Sequence, residues 1–115
     1  MKLLVDNKIP FFREYLKKIK NHDQLIIKYF DDNNFENDDC LNADALFIRS
    51  TTRVNSELLS NSPIKFIGSA TSGYDHFDNN ILNNSKYSIY VASGCNASAV
   101  VNWVPVSYTH LRAHE

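Results

Sequence analysis

Five short apolar runs, separated by segments of a different period, dominate this chain of 115 residues. They are KLLV (2–5), QLIIKYF (24–30), ALFIRS (45–50), IKFIGSA (64–70) and YSIYVAS (87–93). Each reads as a buried strand. After the first, Ile9, Phe12, Leu16 and Ile19 recur at helical spacing, with Pro10 where a first-turn proline is tolerated. SELLSN (56–61) predicts a short helix capped by Asn55 or Ser56, and ILNNS (81–85) belongs to another. GCNASAVVNWV (94–104) opens a further helix, with Asn96 as cap, and DDNNFENDD (31–39) reads as a solvated acidic loop. Short apolar strands alternating with helical segments predict an α/β fold with a parallel sheet flanked by helices. Helices on both faces allow a strand to be apolar throughout. The strand C-termini then share one edge, where open α/β sheets bind their ligands.

That edge concentrates polar chemistry. The third strand would end in Arg49, Ser50, Thr51, Thr52 and Arg53, and the fourth in Ser69, Thr71, Ser72 and Gly73. Two of the chain's three glycines, Gly68 and Gly73, lie in this stretch. Glycine lets backbone approach an anion closely or take a positive φ without steric cost. Hydroxyls, free backbone N–H groups and arginine together hold carboxylate or phosphate. The pattern predicts an oxyanion site for a small acid and leaves the acid unnamed.

Composition excludes several classes. With 43% hydrophobic and 12% aromatic residues the chain can bury a core, and a net charge of −1 argues for no nucleic-acid and no membrane partner. Cys40 and Cys95 have no metal-like spacing and read as a reduced pair. His110 and His114 stand four apart, but in a tail that carries no other signal, so no metal site is assigned. The N-terminus is too short in apolar residues for a signal peptide, and no run approaches the ~20 residues of a membrane span. These features predict a soluble cytoplasmic protein. His76, between Asp75 and Asp78, reads as a capping or hinge residue, and the two acids as loop-fixing and helix-start residues. Cys95 reads as a packing residue and His22 as a solvated one.

Four stretches carry a wider resemblance: MKLLVDNKIP, ADALFIRSTTRVN, PIKFIGSATSGYDHFD and GCNASAVVNWV. In this order and spacing, from Met1 to about Val104, they resemble the N-terminal part of the D-isomer-specific 2-hydroxyacid dehydrogenases. Gly73, Asp75 and Asp78 fit the family's Gly-x-Asp-x-x-Asp pattern. VDNKIP, RSTTRVN and GCNASAVV resemble the branch that acts on 4-phospho-D-erythronate. The resemblance implies a flavodoxin-like substrate domain built from both ends of a longer, homodimeric parent, with an NAD-binding domain inserted between them. It implies that Ser50 and Thr71 contact a small phosphorylated hydroxy acid, with Arg49 and Gly73 beside them. It further implies that the acid/base pair, the carboxylate-binding arginine and the NAD site all lie downstream, in vitamin B6 biosynthesis enzymes of this type.

The chain itself offers no dinucleotide fingerprint: among Gly68, Gly73 and Gly94 no two are separated by one residue, so G-x-G-x-x-G cannot be made. The expected organisation is residues 1–95 as part of the substrate domain and 96–104 as the start of a helix toward the NAD-binding domain. PVSYTHLRAHE (105–115) resembles translated sequencing-adaptor read-through and reads as a non-native tail, with Pro105 set against a continuing helix. Such a chain would have no catalytic residue or cofactor site of its own. Alternatives are the substrate domain of another D-2-hydroxyacid dehydrogenase, or a flavodoxin-like binding module without catalysis.

Overall fold

Strands form in the computed structural model where the apolar runs predict them: β1 (Lys2–Asp6), β2 (Ile26–Phe30), β3 (Ala45–Ile48), β4 (Phe66–Ser69) and β5 (Ser88–Val91). The structure describes residues 2–9, 12, 14, 26–71, 73–92 and 103. All four neighbouring pairs are parallel, in the order β2-β1-β3-β4-β5. This is the flavodoxin-like order, with its switch point between β1 and β3.

The central strands β1, β3 and β4 are buried on both sides, which is why they are apolar without alternation, while the edge strands β2 and β5 are partly exposed. Leu3, Val5, Ala45, Phe47 and Phe66 pack on one face with Ile9, Phe12 and Trp103. Leu4, Leu46, Ile48 and Ile67 pack on the other with Cys40, Leu59, Phe77 and Ile81. Phe47 sits at the middle of the first layer, its ring 6.0 Å from Phe12 and 6.1 Å from Phe66. Truncating such a residue to alanine costs about 3–5 kcal/mol.

The short helices differ from their sequence expectation. The acidic stretch is folded: a 3₁₀ turn at Asp32–Asn34 is capped by Asp31, which accepts from the Asn33 N–H at 3.0 Å. It is followed by α1 (Asn37–Cys40), where the Glu36 N–H donates to the Asp39 carboxylate at 3.0 Å. Residues 56–61 form a series of turns instead of a helix. Asn55 does cap them, accepting from the Leu58 N–H at 2.8 Å. Propagation stops because Asn37 Nδ2 donates to the carbonyls of Leu58 and Ser60, both at 2.8 Å. A six-residue segment also cannot offset the cost of helix nucleation by itself, and Asn61 turns the chain with a φ of 61°. The helix expected at 81–85 is α2 (Asn79–Leu82), shifted toward its N-terminus. Of the helices expected from Ile9 and from Asn96, Ile9 lies in a bend, and Phe12, Glu14 and Trp103 are helical. The rest of both, with Cys95, His22, His110 and His114, lies outside the described residues. Cys40 is a buried free thiol.

Candidate functional site at the carboxyl edge of the sheet

Register places the predicted hydroxyls. Ile48 of β3 and Ser69 of β4 are direct partners. Ser50 and Thr71 each follow two residues later, beyond adjacent strand ends. The Ala70 N–H donates to the Ile48 carbonyl at 2.8 Å, which closes the Ile48–Ser69 pair at the end of the two strands. Ser50 is exposed and Thr71 half-buried, so both are open to a ligand; Thr51 is exposed and Thr52 buried.

Arg49 is drawn elsewhere. Asp6 ends β1 fully buried, and the switch point sets β3 beside it. Arg49 Nε donates to Asp6 Oδ2 at 3.0 Å and Nη2 donates to Asp32 Oδ2 at 3.2 Å. The Lys8 N–H donates to the other Asp6 oxygen at 2.8 Å. A hydrogen bond with the Thr51 side chain, aided by Arg49 and Lys8, holds the Asp32 carboxyl below its ordinary range. Two of the Arg49 donors are therefore engaged by carboxylates of the protein itself.

The glycines divide in role. Neither Gly68 nor Gly73 has a positive φ. A Cβ on Gly68 would lie 2.9 Å from Phe47 Cδ1 and 2.7 Å from Trp103 Cε3, so this glycine admits aromatic rings to the sheet face rather than an anion. A Cβ on Gly73 would meet nothing within 4 Å, which leaves the backbone there open to an approaching group. Ser72 lies outside the described residues.

A second set of contacts joins the two loops and was not visible in the motif reading. Ser69 Oγ and His76 Nε2 share a buried hydrogen bond of 2.8 Å. The Val54 N–H donates to the His76 carbonyl at 2.8 Å, and the Asp78 N–H donates to the Val54 carbonyl at 2.9 Å. Val54 and Phe77 thus form a parallel bridge outside the main sheet. Arg53 closes the same junction from outside, donating to the Asp75 carbonyl at 3.2 Å and pairing with the Asp78 carboxylate. Asp78 is also the first capping position of α2. Burial pushes the His76 imidazole below its ordinary value of 6.5, outweighing the nearby Asp75 charge. An open groove of about 640 Å³ runs along the outside of this junction, lined by Arg53, Tyr74, Asp75, Phe77, Asp78, Asn79, Asn80 and Leu82. None of Arg49, Ser50, Thr71 and Gly73 lines it.

Residues 3–110 match the family model for the catalytic domain of D-isomer specific 2-hydroxyacid dehydrogenases. The chain belongs to that family. Among the relatives of this 2-hydroxyacid dehydrogenase chain are the erythronate-4-phosphate dehydrogenases of Pectobacterium carotovorum subsp. carotovorum, 41% identical over 104 residues, and of Salmonella arizonae, 40% identical over 104 residues. Both alignments take in 90% of this chain and 26% of the relative, so the chain spans about a quarter of the length of the curated relatives it matches. Solved structures share the fold. An NAD⁺-bound 3-phosphoglycerate dehydrogenase of Entamoeba histolytica superposes with a TM-score of 0.62 at 19% identity, over 79% of this chain and 32% of its own. A D-lactate dehydrogenase of Aquifex aeolicus, complexed with NAD and lactic acid, superposes with a TM-score of 0.58 at 21% identity, over 82% and 28%.

Among the described residues Gly68 is enclosed by rings, and no two of the chain's three glycines have the one-residue spacing of the pyrophosphate turn. Among the described residues no three His, Cys, Asp or Glu side chains stand together as a metal site, and no helix is long and apolar enough to cross a membrane.

Proposed function

We propose that this chain is the N-terminal part of the substrate domain of an NAD-dependent dehydrogenase that oxidises 4-phospho-D-erythronate to 2-oxo-3-hydroxy-4-phosphobutanoate. The supporting observation is the placing of Ser50 and Thr71 just beyond the neighbouring ends of β3 and β4, in a chain 41% identical to an erythronate-4-phosphate dehydrogenase. In this reading residues 1–95 supply half of the substrate site, 96–104 lead toward the NAD-binding domain, and 105–115 are a non-native tail. The parent is a cytoplasmic homodimer serving pyridoxal phosphate synthesis.

The two hydroxyls donate to an anionic oxygen of the substrate, and the open backbone at Gly73 adds an N–H from the same loop. Arg49 keeps the β3 loop in place by pairing with Asp6 and Asp32, so its charge is engaged within the protein and not on the substrate. In the complete parent, NAD held by residues outside this chain would supply the hydride acceptor, and the residues here would only bind and orient the acid whose C2 hydroxyl is oxidised.

The test is to read the native locus beyond Val104, purify the complete protein and follow NADH formation. Turnover of 4-phospho-D-erythronate, with S50A and T71V each raising KM by about tenfold, is the expected result. Preference for D-lactate or D-3-phosphoglycerate would transfer the chain to another branch of the family. A frame that ends at residue 115, with no NAD reduction, would leave a binding module.

A further inference from the structure

We infer that His76 is a positioning residue that fixes the Thr71–Gly73 loop by tying it at once to β4 and to the loop that follows β3. The inference deepens the proposed function, since it rests on Thr71 being a substrate contact.

Three observations carry it. The His76 side chain reaches back seven residues to Ser69, the last residue of β4, and both partners are buried. Thr71 lies between them, two residues after Ser69. The His76 carbonyl simultaneously accepts from Val54, four residues after Ser50. One residue therefore anchors both loops, through different atoms. A Cβ at Gly73 would touch nothing within 4 Å. A short loop closed at both ends loses most of its freedom, and misplacing a substrate contact by about 1 Å can cost ~100-fold in rate.

His76 is not placed as a general base. Its Nε2 is occupied by Ser69, and the ring lies 4.4 Å from the Phe77 ring, on the side of the sheet that holds the apolar cluster of Leu46, Ile67 and Phe77. Asp75 and Arg53 are the charged groups facing it, and they act through the outer surface of the junction. A buried hydrogen bond between two neutral groups, leaving neither unpaired, suits a fixed anchor.

H76L and H76Q separate anchoring from packing, because the glutamine amide can reach the position of Nε2 and the leucine cannot bond to Ser69. S69A removes the same bond with the least change in volume. In the complete protein, amide hydrogen exchange at residues 70–75 should quicken by about tenfold in H76L and S69A, with β1 and β3 unchanged, and return toward wild type in H76Q. KM for 4-phospho-D-erythronate should rise by about tenfold in the same two variants while kcat changes by less than about threefold. Unchanged exchange in S69A and H76L overturns the anchor whatever the substrate. Faster exchange with unchanged KM, in a protein that turns over that substrate, overturns the link to binding. Absence of turnover in the wild-type protein overturns the proposed function alone, and exchange still decides whether His76 is the anchor.

Discussion

Asp6 is a carboxylate without solvent, so whatever neutralises it is a condition of the fold. Arg49 does so at 3.0 Å, and the Lys8 N–H adds a neutral hydrogen bond at 2.8 Å. Removing one partner of a buried ion pair costs about 3–5 kcal/mol, because the other charge stays buried and unpaired. R49M should therefore destabilise the chain by about that amount in denaturant titration, and D6N/R49M should recover most of it. A loss below about 1 kcal/mol would mean that Arg49 is free for a ligand after all. The sequence shows an acid ending the first strand and an arginine following the third, yet their pairing depends on β1 and β3 being neighbours. Strand order is a tertiary fact that no local pattern carries. The Ser69–His76 bond was hidden for the same reason, a small polar residue inside an apolar run giving no sign of its partner.

At the scale of elements, legibility follows the source of stability. β1, β3 and β4 were readable because burial on two faces makes each a continuous apolar run, and the edge strands β2 and β5 kept enough β-branched and aromatic residues to be read although they are partly exposed. Helix α1 and the turns at 56–61 were not readable, and α2 was legible only in part, its limits falling two to three residues earlier than expected; at 56–61 the limit is set by a distant group, the Asn37 amide. The strand-end glycines show the contrast most directly. Both were read as serving an anion, but only Gly73 has open space beside it. G68A should destabilise by about 1–3 kcal/mol through overpacking against Phe47 and Trp103. G73A needs no positive φ and should be neutral or stabilise by up to about 1 kcal/mol, by restricting the unfolded chain. Paired melting curves check both, and equal effects at the two positions would mean that ring packing at Gly68 is not what the glycine serves.

The whole molecule brings these groups onto a single pH profile. His76 titrates below its ordinary 6.5 when folded, because burial disfavours the charged ring. The unfolded chain then takes up the proton first, so stability is full above 6.5 and falls as pH drops toward the folded value. Asp32, held low chiefly by Thr51, adds a further loss once its carboxyl protonates below its ordinary 3.8. At the other end, burial raises the Cys40 thiol from 9.0 to about 12. The unfolded thiol ionises first there, so stability is complete below 9 and declines as pH rises toward 12. Burial raises the Tyr87 hydroxyl as well, which steepens the same limb. Denaturant midpoints measured across pH should therefore form a plateau between these limits. H76Q should remove the first acid step while leaving the lower one, and C40A should flatten the alkaline limb to the part that Tyr87 contributes. An acid step that survives H76Q would assign it to another group and show that the Ser69–His76 bond does not feel the proton. Because that bond closes the Thr71 loop, the same acid step should appear in loop hydrogen exchange before the sheet itself unfolds.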